Sequence, residues 1–197
     1  MEEWFTHIIR QLMLYSLPLL ITLTSVALFE HHFFNKSNRI TFNIGSITVW
    51  LPLMASILFS RAIIFALPQQ TGNGVRFALV RLLAHTLLCG TGLILYIWAS
   101  AHSPAFGLPP LHFWWAKVLM YLNLCLMALH LLPLPHFVLG ELILKVYRRS
   151  FVADMLRNFP HITVVSLSII AASPLLDMFL GAAVIFPIYE QLASFAE

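Results

Sequence analysis

Ala128-Leu-His-Leu-Leu-Pro-Leu-Pro-His-Phe-Val-Leu-Gly-Glu141 closes a charge-free run that begins after Lys117, and its reading decides the fold. Proline locks φ and has no N–H to donate, so Pro133 and Pro135 stop the helix built by the apolar residues before them. Leucine and proline alone are common in membrane helices. The fixed intervals from Pro133 to Pro135 to Gly140 are what give the stretch its specificity.

The chain around it is equally apolar. Of 197 residues 60% are hydrophobic and only 10% charged, with mean hydropathy +0.87. A soluble domain carries about 25% charged residues, so the composition excludes one and defines a polytopic membrane protein. Charge-free runs lie between Arg10 and Glu30, Arg39 and Arg61, Arg81 and Lys117, and Lys117 and Glu141, with a last apolar region after Arg157. A bilayer core of ~30 Å takes about 20 helical residues. About four to six membrane segments in one domain over 1–197 are expected, near 11–29, 50–67, 77–100, 113–133 and 161–189.

Met1-Glu2-Glu3 is acidic, not basic, which predicts a retained first anchor and no cleaved signal peptide. Cys89 and Cys125 both lie in apolar runs, where free cysteine packs as a small hydrophobic residue. The formal charge of +3 does not point to nucleic acid, because the basic residues flank membrane segments instead of forming an arm.

The first helix carries Pro18 and ends in Glu30-His31-His32, and Asn35 to Asn38 reads as a turn. Arg39-Ile-Thr-Phe-Asn-Ile-Gly-Ser-Ile-Thr-Val-Trp50 is rich in β-branched and aromatic residues and predicts a strand or hairpin. The segment 50–67, interrupted by Pro52, either spans or re-enters the membrane. His112-Phe-Trp-Trp-Ala-Lys117 has the character of an interfacial aromatic belt. Lys145, Arg148, Arg149 and Arg157 form the densest basic cluster, which places the loop 145–157 in the cytoplasm, with a bacterial inner membrane as the expected location. The stretch from Ile162 to Tyr189 predicts one span kinked at Pro174 and carrying Asp177.

The segment quoted first resembles the Asn-Leu-Leu-Pro-x-Pro-x-Leu-Asp-Gly-Gly segment of site-2 proteases, which cut substrates within the membrane using zinc. Leu131, Leu132, Pro133, Pro135 and Gly140 keep the frame, while the family's asparagine falls on His130 and its metal-binding aspartate on Val138. Asn38-Arg39-Ile40-Thr41-Phe42-Asn43 is similar to the strand that follows the metal-binding helix in many small members. Ala84 to Cys89 falls where an Ala-Gly-Pro-x-x-Asn motif should stand, with its Gly, Pro and Asn replaced. The His-Glu-x-x-His pair would fall on Phe29-Glu30-His31-His32-Phe33, and no histidine stands four residues from another there.

The resemblance implies an all-α polytopic membrane protein with a site-2-protease-like helical core and a small β strand or hairpin after the first helix. The missing ligands imply a non-catalytic relative that holds a membrane-protein partner as complex subunit, assembly factor or regulator. The strand at Ile40, Thr41, Phe42 and Asn43 would pair with an extended peptide. Pro133, Pro135 and Asp177 are further partner-binding candidates.

Two other readings stay open. Glu30, His31, His32, His130 and His136 would rebuild a zinc site for an active intramembrane metalloprotease if the chain brings them together. His85 and His130 would be axial ligands of a b-type haem in a haem or quinone subunit of a respiratory complex. Against both, a neutral histidine at a helix end is easily satisfied by water, headgroups or a carbonyl. Asp177 has ordinary uses too, such as a hydrogen bond to Ser173.

Overall fold

The computed structural model describes residues 2–34, 46–65, 74–103, 107–147 and 161–196. Three helices are long and apolar enough to cross a membrane: α1 (Glu2–Phe34), α3 (Val75–Ala101) and α4 (Leu111–Leu129). Between them lies the shorter α2 (Ile47–Leu58); α5 (Val138–Val146) and α6 (His161–Ala172) follow. A π-helical stretch, Asp177–Ile185, then runs directly into α7 (Phe186–Ser194).

Helix α4 sits at the centre, packed on both α1 and α3, while α2 packs on α6. Lipid is as apolar as leucine, so helices in a membrane associate through close backbone approach and interhelical hydrogen bonds. Gly92 supplies the first of these. A Cβ there would stand 2.6 Å from the backbone nitrogen of Met120, so α3 and α4 touch main chain to side-chain-free main chain.

The expected strand is corrected where it can be seen. No strand occurs among the described residues; Ile40, Thr41, Phe42 and Asn43 lie outside them, and Ile47 to Trp50 form the first turn of α2. Ser46 caps this helix, its hydroxyl accepting from the Thr48 amide at 3.4 Å. Val49, Leu53 and Ile57 are all buried at four-residue spacing, so burial of one helical stripe outweighs the β preference of the branched residues.

At 12 residues α2 is about 18 Å long, too short for a ~30 Å hydrocarbon layer. Beyond it Ser60 takes a left-handed φ of 51°, and the non-helical residues that follow bury Ile63, Ile64 and Phe65. Irregular backbone at membrane depth requires partners inside the protein. It finds them at a second break. The stretch expected as one kinked span is bent by 87° between Thr163–Ala172 and Asp177–Ser194. Pro174 interrupts the hydrogen-bond ladder there, freeing carbonyls at the end of α6.

The two irregular stretches satisfy one another. Arg61 donates from Nε and Nη2 to the Ala172 carbonyl at 3.1 and 3.0 Å. In return Asp177 accepts the Ala62 and Ile63 amides at 3.4 and 3.0 Å. The Tyr121 hydroxyl of α4 donates to the Ala62 carbonyl at 2.6 Å. Asp177 therefore does not use Ser173, whose hydroxyl donates to the Ile170 carbonyl at 2.7 Å.

Candidate functional site

Six buried polar residues, Thr22, Glu30, Arg81, His85, Asn123 and His130, gather between α1, α3, α4 and the turn after α4. Thr22, Val26 and Glu30 recur every four residues and form one stripe of α1, each no more than 1% exposed. Arg81 and His85 make the matching stripe on α3, also 1% exposed. Asn123 lies on the buried side of α4.

Two hydrogen-bonded layers result. In the first, Arg81 donates from Nε to Oε1 of Glu30 and from Nη1 to the His136 carbonyl at 3.3 Å. The His136 amide in turn donates to Oε1 of Glu141 at 2.9 Å. In the second layer, one helical turn along α3, Nδ1 of His85 pairs with Oδ1 of Asn123 at 2.9 Å. The Asn123 amide donates to Thr22 Oγ1 at 3.0 Å and to the Leu119 carbonyl at 2.9 Å. Helices α1, α3 and α4 are thereby tied together by polar bonds in an apolar setting.

The turn quoted at the start of the sequence covers these layers. His130 Nδ1 accepts the Val138 amide at 3.3 Å, and its carbonyl accepts the Leu139 amide at 3.2 Å, so the end of α4 is joined to the start of α5. Gly140 has a steric reason for lacking a side chain, because a Cβ there would fall 1.8 Å from the Leu134 carbonyl oxygen. Pro133 is exposed and Pro135 buried within this turn. His136 holds a left-handed φ of 74°, and its Nδ1 has no hydrogen-bond partner among the described residues. Burial, and secondarily the Arg81 charge, pulls the His136 pKa from 6.5 down to about 4.

Of the residues proposed to rebuild a zinc site, Glu30, His130 and His136 come to this region while His31 and His32 point outward and are exposed. The set does not fit the metal. No group of three or more His, Cys, Asp or Glu side chains among the described residues has a ligating arrangement. Glu30 is held by Arg81, and Nδ1 of His130 is held by a backbone amide. Val138, where the resemblance would put a third ligand, has no donor atom.

His85 and His130 do meet, with ring centroids 6.0 Å apart. They do so at 1% and 5% exposure, inside packed protein, where a macrocycle far wider than either ring would have to displace the surrounding helices. The rings instead form part of the polar layer, with Phe137 edge-on to His130 at 5.6 Å.

Sequence reasoning passed over Arg81, Asn123 and Thr22. The available signal was a polar residue on an otherwise apolar stripe, with Arg81 and His85 at i and i+4 and Thr22 and Glu30 at i and i+8.

Among the described residues the fold is all-helical, with three helices long and apolar enough to cross a membrane and a buried charged and polar centre. Comparison with known protein families, characterised proteins and solved structures gives no match for this chain.

Proposed function

We propose that this chain is a non-catalytic integral membrane protein, of site-2-protease-like layout, that binds another membrane protein as complex subunit, assembly factor or regulator. One observation carries the word non-catalytic. Glu30 stands at the end of α1, where the resemblance puts the general base, and its carboxylate is engaged by the guanidinium of Arg81 at 1% exposure. A general base must present its lone pair to a metal-bound water, and a carboxylate held by a buried guanidinium is poorly placed to take that proton. Val138 at the position of the family's aspartate supports the same reading.

The layout is supported by the adjacency of α1 and α4 and by the close turn between α4 and α5, in which Gly140 lies against the Leu134 carbonyl. A bacterial inner membrane with loop 145–157 facing the cytoplasm completes the reading, on the strength of its basic residues.

The test is crosslinking in intact membranes followed by purification in mild detergent, with zinc measured on the same sample. A membrane protein recovered at fixed ratio, with zinc well below one per chain, is the expected result. One tightly held zinc per chain that disappears in His130→Ala, together with cleavage of a membrane substrate, overturns it.

A further inference from the structure

We propose that the face carrying the two chain breaks, after α2 and at Pro174, is the contact surface for a second copy of this chain, with Arg61 of each copy set against Asp177 of the other.

Depth is the first argument. The Tyr121 hydroxyl reaches the Ala62 carbonyl, and Tyr121 stands ten residues after Leu111 and eight before Leu129, the two ends of α4. At 1.5 Å per residue these separations are about 15 and about 12 Å along a helix long enough to cross a membrane. The break at Ala62 thus lies at the level of the hydrocarbon that α4 would cross, not at a headgroup surface.

Exposure is the second. The bonds from Arg61 and Asp177 satisfy the two breaks from one side, while Ser60, Ala62, Pro174 and Leu175 are exposed on the other. The Ser60 hydroxyl meets no donor or acceptor among the described residues. Hydrocarbon supplies no hydrogen bonds, so irregular backbone at this depth has to be covered by protein or to line water. Phe59, Met178 and Phe179 surround it at 56, 60 and 63% exposure, an apolar rim that suits protein and not water.

Charge selects the occupant. Arg61 and Asp177 are both half-buried, and they do not pair within one chain; the ion pair among the described residues is Glu30 with Arg81. Each has capacity left. Arg61 commits Nε and Nη2 to the Ala172 carbonyl, which leaves Nη1. Asp177 takes one amide on each oxygen, whereas a carboxylate can accept about four bonds. A charge left unpaired at this depth is costly, so the covering surface has to bring one charge of each sign to matching places. This face itself has both. A two-fold axis through it sets Arg61 against Asp177 twice, the self-complementary arrangement of a symmetric dimer. The inference does not rest on the protease-like reading, because it uses neither the turn at Pro133 nor the Glu30 pair.

The test is oxidative crosslinking of the full chain in native membranes, with copper phenanthroline as oxidant and the product identified by mass. Ser60→Cys should give a covalent pair of two copies of this chain. None should form from the unaltered chain, whose Cys89 and Cys125 are buried, or from Ile94→Cys, exposed on α3, which packs on α1, α4 and α5. Added to Ser60→Cys, Asp177→Asn and Ala62→Trp should each lower the yield about tenfold. Ala62→Trp puts bulk on an exposed side chain and keeps the backbone bonds at 62, so the test stays valid if Asp177→Asn fails to fold.

Ser60→Cys giving no product, a product with a different protein only, or a yield no higher than Ile94→Cys overturns the second copy as occupant. A yield unchanged by Ala62→Trp overturns the face, and one lowered by Ala62→Trp but unchanged by a folded Asp177→Asn overturns the pairing of Arg61 with Asp177.

Discussion

Nε of Arg81 on α3 donates to Oε1 of Glu30 on α1, and each residue is 1% exposed. Two charges removed from water are tolerable only as a pair, and loss of one partner strands the other. Glu30→Gln and Arg81→Met should each cost about 3–5 kcal/mol, while the double variant Glu30→Met/Arg81→Met should recover most of that loss. Thermal unfolding in detergent, read by size-exclusion fluorescence, measures all three. Equal losses in single and double variants would show that the pair is not what holds α1 against α3.

Gly140 and Leu134 make a second steric pair. A methyl group at 140 would fall 1.8 Å from the Leu134 carbonyl oxygen, so Gly140→Ala must push the turn between α4 and α5 open. The expected sign is loss of the His130 contacts to Val138 and Leu139, with destabilisation of at least ~2 kcal/mol. Gly90→Ala is the control, since nothing lies within 4 Å of a Cβ there, and should be neutral or stabilising.

Asn123 links α1, α3 and α4 through Thr22, His85 and Leu119. Asn123→Leu removes those bonds and leaves buried His85 without its partner, a cost of about 1–3 kcal/mol. Thr22→Val removes only one acceptor and should cost less. Unfolding of the two variants side by side checks the order, and a larger loss for Thr22→Val would contradict the network as described.

His136 gives the turn a dependence on acid. Unfolded, the imidazole takes its proton near pH 6.5; folded, it resists until about pH 4, because burial and Arg81 both disfavour the charge. The folded pKa is the lower one, so between those values the unfolded chain binds more protons. The stability is complete above pH 6.5 and falls as the pH drops towards 4, with no further loss from this residue below that. Unfolding midpoints across that range should separate from those of His136→Asn, whose slope is shallower; asparagine tolerates the φ of 74°. Parallel curves would remove His136 from the account.

Asp177 ties the bend at Pro174 to the irregular stretch after α2 by accepting two amides. Asp177→Asn keeps one acceptor oxygen and Asp177→Ala keeps none. Losses of about 1 and 2–3 kcal/mol are expected in that order, since bonds to a charged acceptor are the stronger kind. Arg61→Ala, which uncaps Ala172, should fall in the same range.

The amino-acid order by itself determined that the chain carries helices long and apolar enough to cross a membrane, because hydrophobic run length and the proline stops at 133 and 135 are local constraints that any neighbourhood imposes. It was silent on which helix faces which. The residues 47–50 read as strand from their branched side chains, and only burial of Val49, Leu53 and Ile57 on one face of a helix that packs on α6 made them helix. Whether Glu30 would meet histidines or an arginine was likewise undecided until α3 lay beside α1, and the meeting of Asp177 with Ala62 and Ile63 spans more than a hundred residues of chain. Periodicity reports the face a side chain takes on its own helix, whereas the satisfaction of a buried charge depends on which other helix arrives opposite that face.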